Sequence, residues 1–223
     1  MNTFDGILFI GDPHVSSRRP GRRKDDYLSS VLNKLREAAA ICREQRLLPV
    51  ILGDLFNRND DNDLRMLNRL VAVLKEYPVA PFVLEGNHDK EQTTLSEADA
   101  LTLLASTGVV RLLDKAGLEI EVPIAEQGVC RLIAFPYGSP LPDAVERRGD
   151  WTIAVTHHDL AFGSSYPGAQ PLKPIENVDL VVNGHMHDTK AAQQHGNTWW
   201  HNPGNIEPLS VDLANHVPRV WRW

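Results

Sequence analysis

Ile7-Leu8-Phe9-Ile10-Gly11-Asp12-Pro13-His14 is a short apolar run that ends in glycine and passes at once to residues able to bind a metal. The pattern recurs three times. Residues 50–52 precede Gly53-Asp54, residues 82–84 and Glu85 precede Gly86-Asn87, and residues 180–182 and Asn183 precede Gly184-His185. Runs of this kind read as short buried strands, and glycine lets the backbone turn sharply where each strand stops. Parallel strands bring their carboxyl ends to one edge of a sheet, so groups remote in sequence can converge there. The expectation is a chain built around a metal centre.

The segments between these runs support an α/β fold. Leu28, Val31, Leu32, Leu35, Ala39 and Cys42 recur at helical spacing and predict an amphipathic helix over about 25–45. Leu64, Leu67, Leu70, Val71 and Leu74 predict a second, closed by Pro78, and a third is expected from a capping Ser96 to Ser106, before Gly108. Strand and helix in alternation are the mark of parallel crossover units. The second half changes character: residues 109–113, 118–122, 130–135, 152–156, 180–182, 198–201 and 219–222 are short and strand-like. A second sheet packed on the first is the economical reading.

With 223 residues, 42% of them apolar, the chain can bury a full core, and one domain over 1–223 is expected. The first ten residues hold four consecutive apolar positions and no basic lead, too little for a signal peptide or membrane span, so a cytoplasmic protein is expected. Two cysteines, Cys42 and Cys130, make no disulfide framework and no Cys-x-x-Cys thiolate site. The formal charge of -6 argues against binding nucleic acid by bulk electrostatics alone. Bound cations would neutralise several of the carboxylates in that sum, which weakens the argument.

Asp12 and His14 are one residue apart, and so are His185 and His187. In an extended segment such pairs face the same way, and Pro13 disfavours the helical region for Asp12. With Asp54 and Asn87 they exceed what one ion takes, which points to two ions sharing a bridging carboxylate. Any one of these motifs alone reads as a turn; four after four strands do not. Imidazole, carboxylate and amide donors without thiolate suit manganese, iron or zinc, and manganese is the first choice. His195, His201 and His216 are taken as surface or structural histidines.

In order, Gly11-Asp12-Pro13-His14, Gly53-Asp54, Gly86-Asn87-His88-Asp89, Thr156-His157 and Gly184-His185-Met186-His187 resemble the calcineurin-like metallophosphoesterase superfamily over about residues 6–205. The resemblance implies a sandwich of two sheets flanked by helices, with a two-metal site at the strand ends. Position by position it implies Asp12, His14 and His187 on one ion, Asn87, His157 and His185 on the other, and Asp54 between them. His157 is preferred to His158 on family order. The chemistry implied is in-line hydrolysis of a phosphate ester by a hydroxide bridging the ions. His88, outside the ligand set, is expected to serve the leaving oxygen as an acid, with Asp89 fixing its orientation.

Gly53-Asp54-Leu55-Phe56 and Gly204-Asn205-Ile206-Glu207-Pro208-Leu209-Ser210 resemble segments of the SbcD-type DNA repair nucleases. The chain lacks the length for their capping region and ATPase-binding tail, which puts an ATPase partner in doubt. It looks more like small stand-alone bacterial members that cut DNA as endonucleases. It departs from the superfamily's serine/threonine phosphatases, having Asp89 and Phe56-Asn57-Arg58 where those carry Glu and Asp-Arg-Gly.

Arg18, Arg19, Arg22, Arg23 and Lys24 crowd the loop after the first ligand pair and enter a helix at its unfavourable positive end, compensated only by Asp25 and Asp26. Phosphates flanking a scissile bond in DNA are the expected targets, beside the reading of a solvated loop. Two other functions stay open: a phosphomonoesterase or small-nucleotide diesterase narrowed by loops 57–62 or 137–143, and a non-catalytic metal-bound scaffold.

Overall fold

The computed structural model describes residues 3–21, 23–163, 167–209 and 216–223; Arg22 and Ser210 lie outside them. Strands β1 (Gly6–Ile10), β2 (Leu47–Ile51), β3 (Phe82–Leu84) and β4 (Arg111–Leu113) pair in parallel in that order. Helices α1 (Tyr27–Glu44), α2 (Leu64–Leu74) and α3 (Ala100–Ser106) make the crossovers. In β1, Ile7 and Phe9 face the second sheet while Leu8 and Ile10 face the helices, so both sides are buried. That is why the run is apolar throughout and does not alternate.

Asp26 caps α1 by accepting the Ser29 N–H at 3.2 Å, and Asp63 caps α2 through the Met66 N–H at 2.8 Å. The third helix starts later than Ser96 suggests. The Ser96 N–H and hydroxyl both donate to the Asp99 carboxylate, at 2.7 and 2.9 Å, which closes residues 96–99 into a turn before the helix begins.

In the second sheet, β5 (Glu119–Ile124) pairs antiparallel with β6 (Gly128–Phe135), which runs parallel to β7 (Trp151–Thr156). After β8 (Leu160–Ala161) and β9 (Gln170–Pro171), a small separate pair, come β10 (Leu180–Asn183), β11 (Lys190–His195) and β12 (Thr198–Asn202). The spatial order is β11-β12-β10-β7-β6-β5, with β7, β10 and β12 parallel. Strand β13 (Val220–Arg222) returns to the first sheet and lies antiparallel on β1. β11 is an edge strand of polar composition and so gave no apolar signal.

The layers are unequal. Between the sheets Ile7, Phe9, Val50, Leu52 and Leu84 meet Leu132, Ala134, Ile153, Val155 and Val182. All three described helices cover the far side of the first sheet. The far side of the second, with Ile133, Phe135, Ala154, Val181 and Trp200, is covered by Leu160, Leu172, Ile175 and Val178 from the segment between β7 and β10. The expected flanking helices are therefore on one side among the described residues. Among the same residues, no helix is long and apolar enough to cross a membrane.

Candidate metal centre

The loops leaving β1 and β2 run side by side. His14 N–H donates to the Asp54 carbonyl at 2.9 Å, Val15 N–H to Leu55 at 2.8 Å, and Asn57 N–H back to Val15 at 3.0 Å. This pairing overrides the extended path expected for the first ligand pair: Asp12 has φ 35° and His14 φ 47°, in the left-handed region. Asp54, at φ 47°, and His185, at φ 68°, share it. Non-glycine residues held there mark strain that surrounding contacts must sustain, and such residues gather at functional sites.

The strand-end glycines serve more by lacking a Cβ than by turning. Gly53 alone of the four has a positive φ, 104°. A Cβ on Gly86 would stand 2.1 Å from Asp54 Oδ1, and one on Gly184 would stand 2.2 Å from the Leu52 carbonyl oxygen. The loops carrying the candidate ligands touch through these positions.

Asp12, His14, Asp54 and His157 are buried, and Asn87, His185 and His187 are half-buried at the rim. His14 Nε2 and His187 Nε2 lie 3.0 Å apart. Two ligands each about 2.1 Å from one ion at roughly a right angle would be spaced this way. On the other side Asn87 Oδ1 is 2.9 Å from His185 Nδ1 and 3.2 Å from His157 Nε2. Between them Asp54 Oδ2 is 3.3 Å from His157 Nε2 and 3.8 Å from His14 Nε2. His158 points away, its Nε2 on the Ser139 carbonyl at 2.7 Å.

Second partners fix the rings. His157 Nδ1 lies 2.7 Å from the Leu52 carbonyl, which can only accept, so Nδ1 carries the proton and Nε2 is directed at Asp54 and Asn87. His185 Nε2 lies 3.1 Å from the Asp159 carboxylate, which likewise turns Nδ1 inward. Asn183 holds the loop carrying His185 and His187: its amide donates to the carbonyls of His158 and Gly184 and to Asn202, while Asn202 donates to those of Met186 and Asp188. Sequence reading passed over Asp159, Asn183 and Asn202. Only the buried Asn at the end of an otherwise apolar β10 carried a signal.

The electrostatics fit a cation. Burial pushes the Asp12 carboxyl up to about 7, although His157 opposes this, and Asp12 Oδ2 is buried with no hydrogen-bond partner among the described residues. Burial works against charge on His157 too, but Asp54 and Asp12 outweigh it and raise the imidazole to about 9. Asp54 is held below the ordinary carboxylate range: burial opposes ionisation, and His157, His14 and His88 overcome it. Burial lowers His14 to about 3, leaving it neutral and able to donate a lone pair. Lone pairs and carboxylates facing one another at these distances suit a divalent ion; without one, a proton on His157 offsets the negative charge.

The expected partnership of His88 and Asp89 is not found. Asp89 is fully buried and accepts the N–H groups of Phe56 and Gly86, at 3.1 and 3.0 Å, binding the second and third loops together. His88 Nδ1 instead donates to the Asn57 carbonyl at 2.8 Å, and its backbone N–H donates to Asp54 Oδ1 at 2.8 Å. A carboxylate in such a turn serves two backbone donors better than one exposed ring. His88 remains beside the cluster, its ring 4.9 Å from that of His14.

The basic loop divides. Arg23 is bound to Asp25, the Pro208 carbonyl and the fully buried Glu207, so it is a structural cation and not a free phosphate contact. Lys34 reaches Glu207 from α1 at 2.9 Å. Arg18, Arg19 and Lys24 are exposed. His201 packs on Trp221 with ring centroids 4.6 Å apart, and His216 meets the Asn205 carbonyl at 2.7 Å, so neither belongs to the cluster.

Two sheets whose parallel strands deliver imidazoles, carboxylates and an amide to one edge define a metal-dependent phosphoesterase. The chain belongs to the calcineurin-like phosphoesterase family, whose model matches residues 6–189. A probable cyclic nucleotide phosphodiesterase of Psychrobacter arcticus is 26% identical over all of this chain and 91% of its own length. A hypothetical protein from Thermus thermophilus shares the fold at 13% identity and TM-score 0.51, covering 92% of this chain and 79% of that one. An archaeal phosphodiesterase aligns at TM-score 0.46 and 15% identity, over 97% of this chain and 99% of its own.

Proposed function

We propose that the protein is a dinuclear-metal phosphodiesterase acting on small nucleotide esters, with Asp12, His14 and His187 holding one ion, Asn87, His157 and His185 the other, and Asp54 bridging. The observation carrying this reading is the convergence of donor atoms on two adjacent points, His14 and His187 Nε2 3.0 Å apart on one side and, on the other, His157 Nε2 and His185 Nδ1 gathered on Asn87 Oδ1. Two bound cations would supply positive charge facing the phosphate oxygens and an acidified water for in-line attack. Manganese remains the first choice, with iron or zinc as alternatives.

The chain's own groups do the rest. Leu52 and Asp159 hold the His157 and His185 rings in the tautomers that present a lone pair. The Asn57 carbonyl accepts from His88 Nδ1, which leaves Nε2 as the atom that, in the imidazolium form, would hand a proton to the departing oxygen. A small nucleotide is favoured over DNA because Arg23 is engaged inside the protein and the relative from Psychrobacter arcticus is named for cyclic nucleotides. DNA endonuclease action stays as the second reading on the exposed Arg18, Arg19 and Lys24. Turnover of a phosphomonoester, a cyclic nucleotide and single- and double-stranded DNA, with manganese and with chelator, tests both. Cleavage of the cyclic nucleotide alone, abolished by chelation, is expected; cleavage of DNA alone would reverse the preference, and activity surviving chelation would end the metal reading.

A further inference from the structure

A cleft of about 570 Å³ opens beside the metal centre, between the loop after β3 and the turn after β6. It falls within the range of small-ligand sites, about 300–1,000 Å³. One of its walls is Tyr137, whose ring lies 5.4 Å from that of His185 and 6.2 Å from that of His157, centroid to centroid. Tyr137 thus borders both the cleft and the ligand cluster. Its main chain is tied down: the N–H donates to the Glu85 carbonyl at 3.2 Å, and its carbonyl accepts from Lys90 Nζ at 3.1 Å. Tyr137 as a whole is 37% exposed.

The charge in the cleft is unlike that of a polyphosphate or nucleic-acid track. Among the described residues Glu85, Glu91 and Asp114 line it against Lys90 alone, and Lys90 is already bound to Glu85. A second phosphate entering here would meet uncompensated carboxylates at close range, where like charges repel. What the lining suits is an uncharged, flat, hydrogen-bonding group beside an aromatic face. Thr93, Gln92 and Ser139 supply donors and acceptors for its edges, and the Tyr137 ring supplies the face.

We propose that this cleft is the nucleoside subsite: it takes the base and sugar of one ester group of the substrate, with Tyr137 as the stacking surface, while the phosphate rests on the metal centre. The inference rests on the phosphodiesterase reading above and sharpens it. Because the cleft rejects further phosphates, the group it accepts is a terminal nucleoside, not the interior of a strand.

Two diesters with the same leaving group test this: thymidine 5′-(4-nitrophenyl phosphate) and methyl 4-nitrophenyl phosphate. The full-length protein loaded with manganese is expected to favour the thymidine ester in kcat/KM by about tenfold or more, the size of one base–aromatic stack. Tyr137→Ala should bring that preference to near unity, mainly through KM for the thymidine ester, and Tyr137→Phe should restore most of it. Glu91→Lys together with Asp114→Asn should improve the use of an ester bearing a second phosphate. A preference unchanged by Tyr137→Ala, or equal losses on both esters, overturns the proposal. If the wild-type protein hydrolyses neither ester, it is the phosphodiesterase reading that fails. The subsite is then judged by saturation-transfer NMR of thymidine on the unreacting protein: a signal lost in Tyr137→Ala supports it, and no signal from the wild type overturns it.

Discussion

At the residue scale, a histidine pair separates proposed ligand from support. His157 faces Asp54 and Asn87, whereas its neighbour His158 binds the Ser139 carbonyl on the other side of the strand end. His157→Ala is expected to abolish turnover and remove at least one manganese from the protein by metal analysis. His158→Ala should retain both ions and lose only stability, about 1–2 kcal/mol for a buried hydrogen-bonded ring. Gly86→Ala puts a methyl where Asp54 Oδ1 sits, so it should cost activity through metal loss even though no ligand is altered.

The same residues set a pH dependence. In the metal-free protein protons occupy Asp12, raised to about 7, and His157, raised to about 9. They compete with the cation, so metal affinity should rise as pH increases through this window and level off above it. His14, lowered to about 3, adds no competition near neutrality. Calorimetric titration with manganese in buffers of different ionisation enthalpy should detect proton release at pH 7 and little above pH 9. Affinity independent of pH between 6 and 9 would contradict the assignment.

At the scale of elements, most of the architecture was readable because both faces of the parallel strands are buried, giving continuous apolar runs that end where the ligands begin. The helices were readable from their spacing, with Ser96 misplacing one start because its side chain serves Asp99 and not a helix end. Strand β11 was not readable, since an edge strand of Lys, Ala, Gln and His needs no core face. The residues proposed as ligands could be seen as types at strand ends, but the left-handed backbone at Asp12 and His14 could not, because it arises from pairing between loops forty residues apart. The same limit hid Asp89's true partners and the role of Arg23. Glu207 joins the segment before β13 to α1 through Lys34 and Ser30 and to the loop before α1 through Arg23. Glu207→Gln should therefore destabilise by about 2 kcal/mol in a denaturant titration, while Arg18→Ser leaves the midpoint where it was.

At the scale of the whole molecule, the site is assembled from both sheets, with Asp12, Asp54 and Asn87 behind the first and His157, His185 and His187 behind the second. Ions held there would tie the two layers together and stabilise only the folded chain. Manganese at one hundred times its dissociation constant adds about 2.7 kcal/mol, a rise in Tm of roughly 5–10 °C for a chain of this size. Chelator should reverse it, and His157→Ala should show little of it.

Anomalous diffraction at the manganese edge, from crystals grown with that metal, bears on the centre itself. Two peaks about 3.5–4 Å apart are predicted, one against Asp12, His14 and His187, the other against Asn87, His157 and His185, with Asp54 reaching both. A single peak, or none among these side chains, would contradict the account.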